Sequence, residues 1–173
     1  MRKIKEISML VIFVVCTYAG FYWSAVLKKR LKLLECIEKA VVLLRGEINY
    51  KSLALEEALE NVSKIGENAV CNFFLAISCE MNKYDGRSMC EIASSQQNIL
   101  KKSILSGKDV ENLIGLVGNL GLIDKEMQIS VIDMFLEQLE IRKIECREEI
   151  NKNFKMYRCL GAFVGAMICI LIA

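Results

Sequence analysis

A chain of 173 residues with 54% hydrophobic and 25% charged side chains fits one compact domain, or less once any membrane segment is subtracted. It has no histidine, which removes the commonest general base and neutral metal ligand, and no proline, which favours long uninterrupted helices. The net charge of +2 is unevenly spread: residues 28–32 carry +4, residues 142–158 carry +3, and residues 33–141, with ten basic and seventeen acidic side chains, carry −7.

The first predicted element is a membrane helix. Residues 7–27 are 21 consecutive uncharged side chains, and at about 1.5 Å per residue they span roughly 30 Å of hydrocarbon. Tyr18, Tyr22 and Trp23 lie near its end, where amphipathic rings sit at headgroup level, and Lys28, Lys29 and Arg30 follow at once. A signal peptide is the competing reading, with Arg2, Lys3 and Lys5 as the basic start and Thr17-Tyr18-Ala19 as the cleavage site. The dense positive cluster beyond that site opposes export, and the apolar run passes through the site without stopping.

Helical period continues past the run through Leu27, Leu31, Leu34, Ile37, Val41 and Leu44, and breaks at 49–52. Ser52 is placed to cap a second helix through Leu53, Leu55, Leu59 and Val62, ended by Gly66. Asn68 opens a third, with Val70, Phe73, Phe74 and Ile77 inward, and Asp85-Gly86 marks the turn after it. Ser88 with Glu91 is a capping box for a fourth helix expected from Met89 to about Leu105. Gly107 and Asp109 punctuate before a fifth helix carrying Val110, Leu113, Ile114, Val117 and Leu120, with Gly121 as its C-terminal glycine stop. Asp124 caps the sixth, whose Met127, Val131, Met134, Phe135, Leu139 and Ile141 are expected inward. No breaker follows before a second uncharged run at 159–173, where Gly161 and Gly165 form a G-x-x-x-G face suited to close helix packing.

The predicted fold is all-α. Residues 28–158 form a six-helix bundle whose first and last helices extend into transmembrane segments at 7–27 and 159–173. Both basic collars belong on the cytoplasmic side by positive-inside bias, with the bundle between them.

The eight cysteines form no C-x-x-C pair, which excludes zinc ribbons and thioredoxin motifs and suits free thiols in a reducing compartment. No Walker loop or dinucleotide fingerprint is present; Gly115-Leu116-Val117-Gly118 lacks the lysine and preceding strand that a phosphate loop needs. Glu56, Glu57 and Glu60 are the densest acidic cluster and Glu148-Glu149 the next; both read as solvated helix faces, the first also as an electrostatic docking candidate. The chain reads as a non-enzyme without cofactor, metal or nucleic-acid partner.

The most distinctive stretch is Leu116-Val117-Gly118-Asn119-Leu120-Gly121-Leu122-Ile123-Asp124-Lys125-Glu126-Met127-Gln128. It resembles the LG-x-x-D-x-x-x-Q signature of the stage III sporulation protein AB family. Gly20-Phe21 in the first membrane run, Glu47-Ile48-x-Tyr50 leading to Leu55 and Ala58, and a terminal apolar helix beginning Leu160-Gly161 are similar to that family too, over essentially the whole chain. One departure is Ala54, where family members often have proline.

The resemblance implies a sporulation channel component in the membrane of the mother cell around the engulfed forespore. The family is similar to the inner-membrane platform proteins of type II secretion and type IV pilus machines, whose cytoplasmic domains are six-helix bundles working beside a secretion ATPase. Implied partners are that ATPase, other membrane proteins of the same channel, membrane lipid and, as an option, further copies of the chain. Glu47, Tyr50, Gly121, Asp124 and Gln128 carry over as motif and partner-contact candidates. The alternative from another class is a membrane-anchored helical signalling or regulatory domain.

Overall fold

The structure is a computed structural model that describes residues 2–51, 54–121 and 124–172, with side chains described for 22, 25–50, 54–121 and 124–152. Among the described residues it is all-helical. The elements are α1 (Arg2–Gly46), a π-helical turn (Glu47–Lys51), α2 (Leu55–Ser63), α3 (Ala69–Met81), α4 (Met89–Ser95), α5 (Gln97–Lys101), α6 (Gly107–Leu120) and α7 (Lys125–Ile172).

The chain divides into two compact units. The larger, Lys32–Lys143, is the bundle; the other joins Met1–Leu31 to Ile144–Ala173. In the bundle, α1 buries Leu34, Ile37, Val41 and Leu44, the stripe its period predicts. Leu59 and Val62 of α2, Phe73, Phe74 and Ile77 of α3, Val110, Leu113 and Val117 of α6, and Ile132 and Leu139 of α7 are buried as well. Phe73 and Phe74 meet at a tilt, ring centroids 5.8 Å apart. In the other unit Leu27 and Cys146 are buried, and the Cys146 thiol donates to the Leu27 carbonyl at 3.6 Å.

Capping explains most boundaries. The Asn68 side chain accepts from the amides of Val70 and Cys71, and Ser88 with Glu91 forms the predicted capping box. Ser106 with Asp109 forms a second box, so α6 opens at Gly107, with Asp109 inside its first turn rather than in a loop. The expected fourth helix is broken at Gln96 into α4 and α5, because Gln96 leaves helical geometry (φ −91°, ψ 3°); Leu100 of α5 is buried. Ala54 holds the N-cap of α2 without a side-chain bond, and the predicted cap Ser52 lies outside the described residues.

The inward face of α7 is a second correction. Phe135 and Leu139 are buried as expected, joined by Ile132, Lys143 and Cys146, and Val131 is half-buried, whereas Met127, Met134 and Ile141 are exposed. At about 100° per residue the exposed set lies on the opposite side of the helix.

Among the described residues no helix is long and apolar enough to cross a membrane. The transmembrane assignments at 7–27 and 159–173, and the Gly161/Gly165 face, fall on side chains outside the described residues, apart from Tyr22, Ala25, Val26 and Leu27.

Candidate functional site

The signature residues gather where α6 hands over to α7. The last-turn carbonyls of a helix lack intrahelical donors, and here the Gln128 Nε2 donates to the Leu120 carbonyl at 2.6 Å. One turn earlier, Asp124 Oδ1 accepts from the Met127 amide at 2.8 Å, and its carbonyl accepts the first α7 amide, that of Gln128, at 2.9 Å. Asp124 therefore starts α7 while Gln128 ties that first turn back to the end of α6.

Gly121 sits at the C-cap of α6 with φ −81° and ψ −9°. This is right-handed backbone open to any residue, so the left-handed stop expected of it is not its role. A Cβ at Gly121 would lie 2.6 Å from Met89 Cβ, and one at Gly118 would lie 3.3 Å from Cys90 Cα. The two glycines, one turn apart, let the start of α4 lie directly on α6.

The π turn reaches the same corner. Lys125, the first residue of α7, donates from Nζ to the Asn49 carbonyl at 2.7 Å, joining positions 76 apart in sequence. Asn49 stands near the end of this helical stretch, where carbonyls lack intrahelical donors, and Lys125 takes up its carbonyl. Within the turn Glu47 is buried at 4% exposure and Tyr50 projects at 82%. Of the candidate residues, Tyr50, Gly121 and Asp124 are thus exposed, Gln128 is partly covered and Glu47 belongs to the interior. Lys125 and Met89 were not singled out from sequence; Lys125 stands inside the signature stretch, but nothing local announces a bond to a carbonyl so distant.

The acidic cluster is on α2. This helix buries Ala58, Leu59 and Val62, and the Ser78 hydroxyl donates to the Glu56 carbonyl at 2.9 Å, fastening α2 to α3. Glu57 is exposed, Glu56 and Glu60 partly so, and Glu60 pairs with Lys64 at 2.9 Å. An exposed i,i+4 pair holds Lys64 only loosely.

Three further ion-paired groups brace the bundle. Lys143 is buried, and its Nζ donates to Glu140 at 2.5 Å and Glu38 at 2.8 Å. Burial alone would lower the ammonium pKa; the bonds to Glu140 and Glu38 outweigh it and raise the pKa. Arg45 clamps Asp133 in two bonds, at 2.7 and 3.0 Å, so α1 is tied to α7 at both ends of the shared stretch. After α3, Glu80 accepts from Lys83 and Arg87, and Arg87 also donates to Asp85. The bonds from Lys83 and then Arg87 hold the Glu80 carboxyl below its ordinary value, across a loop with Tyr84 and Gly86 at φ 49° and 78°.

Among the described residues no group of three potential metal ligands is gathered. An open depression of about 450 Å³ between the start of α3 and α5, lined by Asn72, Asn98, Lys102 and Ser103, pairs no nucleophile with a base.

Fold and corner define a helical-bundle module built on surfaces and braces. The family model described as stage III sporulation protein AB matches residues 5–173. A relative named stage III sporulation protein AB from Bacillus subtilis (strain 168) is 24% identical over 169 residues, covering 98% of this chain and 99% of the relative. A solved structure named stage III sporulation protein AB (SpoIIIAB) superposes with TM-score 0.64 at 21% identity, covering 71% of this chain and 97% of that one. The chain belongs to the stage III sporulation protein AB family, a family of sporulation proteins.

Proposed function

We propose that this sporulation protein is a non-enzymatic membrane platform of a channel linking mother cell and forespore, with the bundle in the mother-cell cytoplasm docking a secretion-type ATPase. The observation that carries the reading is the course of the two long helices. α1 and α7 each run unbroken between bundle residues and one of the two charge-free runs, and each passes a basic collar on the way. Such collars favour the cytoplasmic face, and an acidic bundle is repelled by the anionic headgroups that hold them. Family membership supplies the sporulation context. Glu56, Glu57 and Glu60 are the proposed docking face because α2 already buries its apolar side and presents these carboxylates outward.

Cysteine labelling tests the membrane reading with native residues, since Cys79 and Cys90 are exposed. In sealed right-side-out vesicles of a strain making the full chain, a membrane-permeant maleimide should modify both and an impermeant one neither. Efficient modification by the impermeant reagent would overturn the topology.

A further inference from the structure

We infer that the outward face of α7 between Met127 and Ile141 is a docking strip for a basic amphipathic helix. The inference rests on the exposed face of α7 and the charges beside it, and is independent of the ATPase reading and of the α2 carboxylates.

Met127, Met134 and Ile141 are spaced seven apart and are 54%, 55% and 58% exposed. Val131 and Gln138 fall between them at the alternating four-and-three spacing of a coiled-coil seam. The strip is about 21 Å long, enough for four turns of a partner helix. It is not a core face left bare by chance: α7 already spends Ile132, Phe135 and Leu139 on the core at the other side. Two unbranched methionines per strip give an adaptable contact surface of the kind that accepts amphipathic helices.

Charge selects the occupant. Glu126, Asp133, Glu137 and Glu140 border the strip along one edge. Asp133 is held by Arg45 and Glu140 by Lys143, whereas no ion pair engages Glu126 or Glu137 among the described residues. On the same stretch of α7, Lys125 donates to the Asn49 carbonyl and Arg142 stands 3.7 Å from Asp109. A second copy would bring the same carboxylates with it, and like charges along a seam oppose pairing. A helix with apolar residues at i, i+3, i+7 and i+10 and lysine or arginine along one edge satisfies both features.

The probe is a fluorescent 18-residue helix with leucines at those positions and lysines elsewhere, paired with a version carrying glutamate for every lysine. Each is titrated against the full chain in a nonionic detergent, with empty micelles as control. The lysine peptide should bind and the glutamate peptide should bind at least tenfold more weakly. Met134→Ser with Ile141→Ser, both at exposed positions, should weaken the lysine peptide at least tenfold with unchanged helicity and melting, and Glu126→Lys with Glu137→Lys should narrow the gap between the peptides. Equal binding of both peptides, or indifference to the Met134→Ser/Ile141→Ser variant, would overturn the inference. So would failure of the lysine peptide to bind alongside efficient disulfide dimerisation of Met134→Cys, which would assign the strip to a second copy.

Discussion

Met89 and Gly121 are in a contact that only glycine permits: a Cβ on Gly121 would stand 2.6 Å from the Met89 Cβ. The atom it meets is the root of a side chain and not its flexible end, so relief requires α4 to move off α6. Gly121→Ala should therefore cost about 1–3 kcal/mol, the usual range for overpacking. Met89→Ala should not rescue it, because alanine keeps the offending Cβ. Gly115, with nothing within 4 Å of its would-be Cβ, is the control: Gly115→Ala should stabilise by up to about 1 kcal/mol through helix propensity. Denaturant melts of the three variants read the difference directly.

Asp124→Ala should cost about 0.5–2 kcal/mol through loss of the α7 cap, and Asp124→Asn or Asp124→Ser should be nearly neutral, since both side chains cap well. Gln128→Ala should cost about 0.5–1.5 kcal/mol by freeing the Leu120 carbonyl. A variant that melts normally yet loses spore formation would show that Asp124 also serves a partner.

Much of this was legible because caps are local. Asn68, and Ser88 with Glu91, announce helix starts from side chains within one turn. Ser106 with Asp109 is an equally local signal, masked because Gly107 and Asp109 also read as loop punctuation. The break at Gln96 has none: no glycine or proline marks 89–105, and Leu100 falls on the same stripe as Met89 whether the helix is broken or not. On α7 two apolar stripes satisfy the helical period, and sequence alone does not say which one the other helices cover. The contact of Gly121 with Met89 joins positions far apart in the chain, so its glycine read as a stop.

The Glu80 cluster gives a pH dependence. Its folded-state pKa lies below the ordinary value of about 4.5, so its contribution is complete above that value and is lost as pH falls through the depressed folded value. The loop between α3 and α4 should loosen in acid before the bundle does, seen as lower protection of the Tyr84 and Asp85 amides, relative to their intrinsic exchange at each pH, below about pH 4.5. Glu80→Gln should give that lower protection at neutral pH as well.

Lys143 works in the other direction. Lys143→Met should be close to neutral, because an apolar side chain of similar length replaces a buried ion that must otherwise be compensated. Glu38→Ala with Glu140→Ala leaves the buried ammonium without its two carboxylates and should cost about 1–3 kcal/mol. Thermal melts of the two variants at neutral pH check the ordering.

The docking claim is tested most directly by titrating the full chain, in nanodiscs of neutral lipid, with the purified secretion-type ATPase of the same bacterium at low and high salt. Raising ionic strength from about 0.1 M to 1 M shortens the Debye length from about 10 Å to about 3 Å. Affinity should fall at least tenfold over that range, and charge reversal at Glu56, Glu57 and Glu60 should weaken it more than reversal at Glu148 and Glu149, which stand in the basic collar. Affinity indifferent both to salt and to the Glu56, Glu57 and Glu60 reversals would contradict the acidic docking face.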